Sequence, residues 1–173
     1  MSGRRVLATL AAGAAGCLLV CAASRSAHAP RLLWNTTASA PIGFYLVTPG
    51  HYAKGELAAV RPPPGLARWM AIRGYLPLNV PLLKEVAAVE GQRVCGQGGA
   101  LFIDGRLAAR MKPADRHGRK LTAYSGCRRL RADEVFLLNP DASNSLDSRY
   151  FGPISRRQVI GQARPAWTWS PAK

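Results

Sequence analysis

Apolar positions along the chain follow two different rhythms. From Val6 to Ala23, 18 residues pass without a charge or a proline, a run that as a helix covers about 27 Å and nearly matches the apolar thickness of a bilayer. Past Trp34 the apolar runs shorten, and Gly, Pro, Asp and Asn separate them, which is the mark of strands and turns. Gly43–Val47 and Glu56–Val60 read as a hairpin around the turn 48–55, stopped by Arg61-Pro-Pro-Pro-Gly65. Leu66, Trp69, Met70 and Arg73 recur at helical spacing, predicting a short helix over 66–75 that ends near Gly74. Leu82–Val89 reads as a largely buried strand, with Arg93–Cys95 continuing past the turn at Glu90-Gly91. Asp104-Gly105 suits a type I′ turn between Ala100–Ile103 and Arg106–Ala109. Glu134–Leu138 and Val159–Trp169 supply two more strands, with a polar loop over 139–147. Short strands, one short helix and no repeat predict a mostly β domain, sandwich- or barrel-like.

Composition sharpens this picture. A chain of 173 residues with 48% hydrophobic content buries one core. Arg4 and Arg5 precede the long apolar run, which favours an inside start, although Arg25 and Arg31 on the far side weaken the bias. Two readings of the run compete. Ser26-Ala-His-Ala29 resembles a small-residue cleavage site, but Pro30 is a poor first residue for a mature chain, so an uncleaved anchor is favoured over a signal peptide. A lipoprotein through Ala14-Ala-Gly-Cys17 is weaker, since Leu18–Ala23 would stay as an apolar tail. The bulk of the chain is exported on any of these readings.

Cys17 and Cys21 lie within the apolar run, while Cys95 and Cys127 stand alone beyond it. In an oxidising compartment the latter two favour a disulfide, stabilising by about 3 to 4 kcal/mol on the chain-entropy model, with two free thiols as the other option. No Cys-x-x-Cys pair suggests a metal, and no cofactor motif is present. The net charge of +15 asks for an anionic neighbour. Nine of the Lys and Arg residues fall between Arg106 and Arg131, against the single acid Asp115. That stretch carries no recognition helix, RNP-like motif or zinc finger, so nucleic acid is not the expected partner.

Candidate chemistry begins at Asn35-Thr-Thr-Ala-Ser-Ala-Pro-Ile-Gly-Phe-Tyr45, where small hydroxyl residues crowd Ser39. A serine nucleophile needs a base, usually histidine. His28 lies in the linker, His51 and His117 lie in turns, and no Gly-x-Ser-x-Gly elbow exists. The other solution is a neutral lysine. Apart from Glu85, Lys84 is the one charged residue between Gly74 and Val89, and burial there would lower its pKa by up to about 3 to 5. Glu85 should point to the opposite face of the strand. Against this stands a lysine that snorkels to water from an edge strand.

Ser39 with Pro41 and Gly43, Lys84 in a strand, and Ser145-Leu-Asp-Ser-Arg-Tyr-Phe-Gly-Pro153 together resemble the boxes of the bacterial type I signal peptidases. More narrowly, Asn35-Thr-x-x-Ser-x-Pro-x-Gly-x-Tyr, Arg73-Gly-Tyr-Leu-Pro77, Pro81-Leu-Leu-Lys84 and the Cys95 and Cys127 pair resemble the conjugative-transfer branch, the TraF peptidases. The resemblance implies a signal-peptidase-like β domain behind an N-terminal transmembrane helix, with Ser39 as nucleophile and Lys84 as general base. It further implies an oxyanion hole from the Ser39 N–H and the Thr37 hydroxyl, Ser145 orienting the Lys84 amine, and Asp147 with Arg149 as a supporting pair. The chain departs from the cellular enzymes at Ser39-Ala40, where they carry Ser-Met, at Lys84-Glu85, where they carry Lys-Arg, and at Asn139-Pro-Asp141, where they carry Gly-Asp-Asn. Those departures favour a dedicated processing enzyme over a housekeeping one.

The expected organisation is an anchor over 1–24, a linker over 25–33 and a periplasmic peptidase domain over 34–173, with a basic insertion at about 106–131. The expected partners are a pilin-like protein precursor and the inner membrane. A non-catalytic, basic assembly or adaptor protein of the same apparatus is the alternative.

Overall fold

The computed structural model describes residues 3–25 and 31–169. Helix α1 spans Gly3–Arg25, over the expected anchor. The anchor itself is not supported at this level, because among the described residues no helix is long and apolar enough to cross a membrane. Leu7, Leu10 and Leu18 of α1 are exposed. The candidate cleavage site at 26–29 and Pro30 lie outside the described residues.

Two antiparallel sheets make the rest. The first runs from β1 (Leu32–Asn35) and β2 (Ile42–Pro49) through β3 (Leu57–Val60) and β4 (Leu82–Ala88), and is completed by three later strands, β9 (Glu134–Leu138), β10 (Ile154–Ser155) and β11 (Val159–Trp169). Its order is β1-β2-β11-β3-β4-β9-β10. The second has the order β7-β6-β5-β8, from β5 (Arg93–Gln97), β6 (Ala100–Ile103), β7 (Arg106–Arg110) and β8 (Gly126–Arg129). Strand β8 lies inside the basic stretch that the sequence left as an insertion, and β1 takes the end of the expected linker.

Helix α2 covers Pro64–Ile72, two residues earlier than its apolar spacing suggests at the start. Pro62, Pro63 and Pro64 lack N–H groups, so the chain can begin a helix there without orphaning donors. Gly74, at φ +65°, turns the chain out of it, with the Tyr75 N–H reaching back to the Met70 carbonyl. The expectation of one short helix is therefore corrected. A one-turn helix α3 (Ser148–Phe151) and a 3-10 turn at Arg156–Gln158 are also present. Asp147 makes α3 possible by accepting the Arg149 N–H as its N-cap.

Three apolar clusters bind these layers. Ala58, Val60, Leu82, Val86 and Leu137 pack under Met70 of α2. Tyr45, Val47, Ala59 and Leu83 gather around Ala40. Val94, Leu101, Phe136 and Leu138 join the two sheets. Cys95 and Cys127 sit opposite each other on β5 and β8 and form a disulfide.

Gly43 explains one fixed position of the serine motif. Its φ is +144°, and a Cβ there would stand 2.2 Å from the Trp167 carbonyl oxygen of β11. Only glycine allows both the backbone and the approach, and that approach anchors the strand leaving the serine loop.

Candidate active site

Lys84 sits on β4, which is flanked by β3 on one side and β9 on the other. A lysine in an interior strand has no edge from which to snorkel. It is 3% exposed, in register with Ala58 and on the same face as Leu82 and Val86. Its Nζ donates to Ser145 Oγ at 2.7 Å. Burial pulls the amine's pKa down from 10.5 to about 8; Asp147 opposes the shift and Arg149 adds to it. Glu85, the next residue along β4, is half-buried, and burial and the nearby Asp141 raise its pKa.

The serine loop is organised by Asn35, the last residue of β1, which is itself buried. Its Nδ2 donates to the carbonyls of Thr37, Ala40 and Pro41, at 2.9, 3.1 and 3.0 Å. Its Oδ1 accepts the Thr37 N–H and the Thr37 hydroxyl at 3.0 and 2.8 Å. Tyr45 adds a hydroxyl bond to the Pro41 carbonyl at 2.6 Å. The loop is thus closed on one carboxamide.

Thr37 Oγ1 and Ser39 Oγ lie 3.1 Å apart. Thr37 gives its single hydroxyl proton to Asn35, whose Oδ1 has none, so Ser39 is the donor in that contact. For Thr37 to serve an oxyanion, its proton must turn away from Asn35, which keeps the Thr37 N–H. Among the described residues the Ser39 N–H has no acceptor, and no hydrogen bond joins the Ser39 hydroxyl to Lys84.

What brings the two segments together is Asn139, at the end of β9. Its Nδ2 donates to the Ser39 carbonyl and to the Leu83 carbonyl, the latter at 3.1 Å. Its Oδ1 accepts the Glu85 N–H at 3.2 Å. One side chain, 6% exposed, therefore holds the serine loop against the residues on both sides of Lys84.

Beneath lies a buried ion pair. Asp147 Oδ1 accepts from Arg149 Nε at 2.8 Å, and Oδ2 accepts from Arg149 Nη2 at 2.7 Å and from the Asn139 N–H at 3.2 Å. The same guanidinium donates to the carbonyls of Ala142 and Ser145, at 2.9 and 3.2 Å. Ser145 is thereby set in its loop from below. The Ser148 hydroxyl accepts the Leu137 N–H of β9 at 3.0 Å. Among the described residues no carboxylate pairs with the Lys84 amine. Among the described residues no cluster suited to a metal ion occurs.

The model of the signal peptidase family, peptidase S26, matches residues 4–169 of the chain. The chain belongs to the S26 signal peptidases. It is 33% identical to a plasmid transfer protein TraF of Escherichia coli, over 95% of this chain and 99% of that one. It is 36% identical to a probable conjugal transfer protein TraF of Sinorhizobium fredii, over 79% of this chain and 77% of that one. A conjugal transfer protein TraF of Agrobacterium fabrum is 33% identical, over 79% and 82%. A crystallised signal peptidase I of Enterococcus faecalis overlays on 66% of this chain and 98% of its own, at 16% identity and a TM-score of 0.40.

Two residues that organise this site, Asn35 and Asn139, carry no predicted role in the sequence. Asn35 opens the serine motif, and its part shows only in the hydrogen bonds that it makes. Asn139 enters the sequence only as a departure from the Gly-Asp-Asn expected on resemblance, and in the structure that side chain finds buried backbone partners.

Asn139 yields a direct test. Asn139→Asp keeps the size but turns two donations into repulsions between oxygens, and should lower unfolding free energy by about 2 to 4 kcal/mol. Urea unfolding of both proteins checks this. A difference within about 0.5 kcal/mol, the range of an ordinary surface change, contradicts the clamp.

Proposed function

We propose that this chain is a serine endopeptidase that uses a Ser39–Lys84 dyad to process an exported, pilin-like protein precursor in conjugative transfer. The observation that carries the reading is the Lys84 amine, buried in an interior strand and hydrogen-bonded to a neutral hydroxyl, with a pKa lowered to about 8. Such a nitrogen has a free lone pair in a useful fraction of molecules near neutral pH, and so can act as a base.

The steps follow from that. Lys84 Nζ takes the Ser39 proton as Oγ forms a bond to the scissile carbonyl carbon, and the carbonyl oxygen becomes an oxyanion. The unpaired Ser39 N–H and the Thr37 hydroxyl receive that charge; one such donor is typically worth about 2.7 to 4 kcal/mol. The carbon–nitrogen bond then breaks, Lys84 returns its proton to the leaving amine, and an acyl-enzyme stays on Ser39. Attack by water releases a linear product, whereas attack by the precursor's own amine gives a circular one. Ser145 holds the Lys84 amine through both proton transfers, while Asp147 and Arg149 hold Ser145.

The compartment belongs to the same proposal: the domain faces the periplasm at the inner membrane. A disulfide between Cys95 and Cys127 suits an oxidising space. Attachment to lipid is supported by the exposed leucines of α1 and by an apolar face on β1, β2 and β11, where Trp34, Phe44, Trp167 and Trp169 are exposed and close together. Tryptophan favours the membrane–water boundary. Cell fractionation of the full chain should recover it with the inner membrane, open to protease added from the periplasmic side. Recovery from the soluble cytoplasm contradicts the placement.

Ser39→Ala and Lys84→Ala should each abolish precursor cleavage, by about 10⁴-fold or more, as removal of one member of a coupled set does. In the unaltered enzyme kcat/KM should climb about tenfold per pH unit below pH 8 and level off above it, because the active form is the deprotonated amine. Full transfer function with both variants would support a non-catalytic adaptor and end the peptidase reading. Cleavage assays across pH, with conjugation frequency measured in parallel, separate the two.

A further inference from the structure

The motif Arg73-Gly-Tyr-Leu-Pro77 plays no part in the chemistry above, yet a cavity opens beside it. The cavity has a volume of about 240 Å³ and lies between α2, α3 and the segment 120–122. Leu66 and Trp69 of α2 form one wall, with Leu121, Leu146 and Phe151 opposite. Arg73 and Lys120 stand at its edge, and no carboxylate lines it. Among the described residues neither cation has an ion-pair partner, although four acidic residues are paired with arginine. Arg73 is held in place at the rim. Its guanidinium stacks over the Trp69 ring at 4.8 Å, and Nη1 donates to the Lys120 carbonyl at 3.4 Å.

A second cavity, about 50 Å³, shares Leu121, Leu146 and Tyr150 with the first and extends to Ser145. Lys112 and Arg116 continue the positive edge there, and the one acid, Asp115, is already bonded by Tyr75 and Arg119. The two cavities adjoin along Leu121, Leu146 and Tyr150, and this trough reaches from α2 to the residue that holds the Lys84 amine. The larger cavity is walled mainly by apolar side chains, the smaller adds the polar Ser143, Asn144 and Ser145, and cations stand at both.

We infer that this trough is a docking site for a peptide segment in which apolar side chains alternate with carboxylates. Size selects the occupant: a cavity of about 150 Å³ holds a benzene, so 240 Å³ takes one or two side chains and is small for a whole acyl chain. Charge selects it further, since an acidic segment would neutralise cations that the chain leaves unpaired and would be drawn by a surface of net charge +15. The segment belongs to the precursor, so the inference rests on the peptidase reading and adds a recognition site at a distance from the scissile bond. The trough gives the basic segment 106–131 a task, because Lys112, Arg116 and Lys120 all come from it.

The test uses the full chain carrying Ser39→Ala, so that binding is measured with no cleavage. Calorimetric titration compares a short peptide alternating leucine and glutamate, its leucine and lysine counterpart, and dodecyl phosphate. The glutamate peptide should bind at least about tenfold more tightly than the lysine peptide, with the gap narrowing at high salt. Adding Arg73→Gln and Lys120→Gln should weaken it about tenfold while the melting temperature stays put. In the active enzyme the same two changes should raise KM for a precursor containing such a segment and leave kcat unchanged. Equal binding of both peptides, an affinity untouched by the two changes, no binding at all, or binding of dodecyl phosphate alone would each overturn the inference. Binding that holds while the unaltered enzyme cleaves nothing would sink the peptidase reading and leave the docking site standing.

Discussion

A charged amine resists removal from water, and the centre of this fold is arranged around one such removal. Lys84 is buried in the middle of a sheet with a hydroxyl, not a carboxylate, as its partner. The pKa drop from 10.5 to about 8 corresponds to about 3 kcal/mol of penalty on the charged form. Its folded pKa lies below its unfolded one, so the penalty is full below pH 8 and is recovered as pH rises from about 8 to 10.5. The burial of Leu82, Val86 and Leu137 in the same cluster offsets it. Had Asp147 met the amine directly, the nitrogen would hold its proton; Arg149 occupies that carboxylate instead.

For the proposed dyad, keeping the amine dry is one requirement, and bringing an alcohol to it is another. The serine loop is a loop, and loops move unless something holds them. Here two carboxamides do so. Asn35 closes the loop on itself, and Asn139 pins its Ser39 carbonyl to the strand that carries Lys84. Asp147 joins the arrangement from below through the Asn139 N–H. Residues from four separate stretches thus share one continuous set of hydrogen bonds, which ties the function of the site to the stability of the sheet.

Much of this was legible in the sequence because the apolar pattern carried it. The apolar residues on either side of Lys84-Glu85 forecast a buried strand, the Asp-Gly pair forecast a hairpin turn, and the spacing of Leu66, Trp69 and Arg73 forecast α2. The polar character of 139–147 misled. Those residues look like solvated loop, but Asn139, Ser145 and Asp147 are buried, because their side-chain polar atoms are satisfied by backbone, by Arg149 or, for the Ser145 hydroxyl, by Lys84. Pattern reading scores polarity, whereas burial depends on whether partners exist in three dimensions. The basic stretch misled in the same way: Asp115, Arg119 and Tyr75 fasten it to the end of α2, and β8 pairs it into the second sheet.

The claim beneath all of this is that the Lys84 nitrogen loses its proton near neutrality. Carbon-13 NMR of the lysine Cε signals across pH measures that property directly, with Lys84→Met identifying the resonance. A midpoint near pH 8, set apart from those of exposed lysines, is the expected result. A midpoint near 10.5, shared with the rest, would mean a permanently cationic amine and would contradict the account.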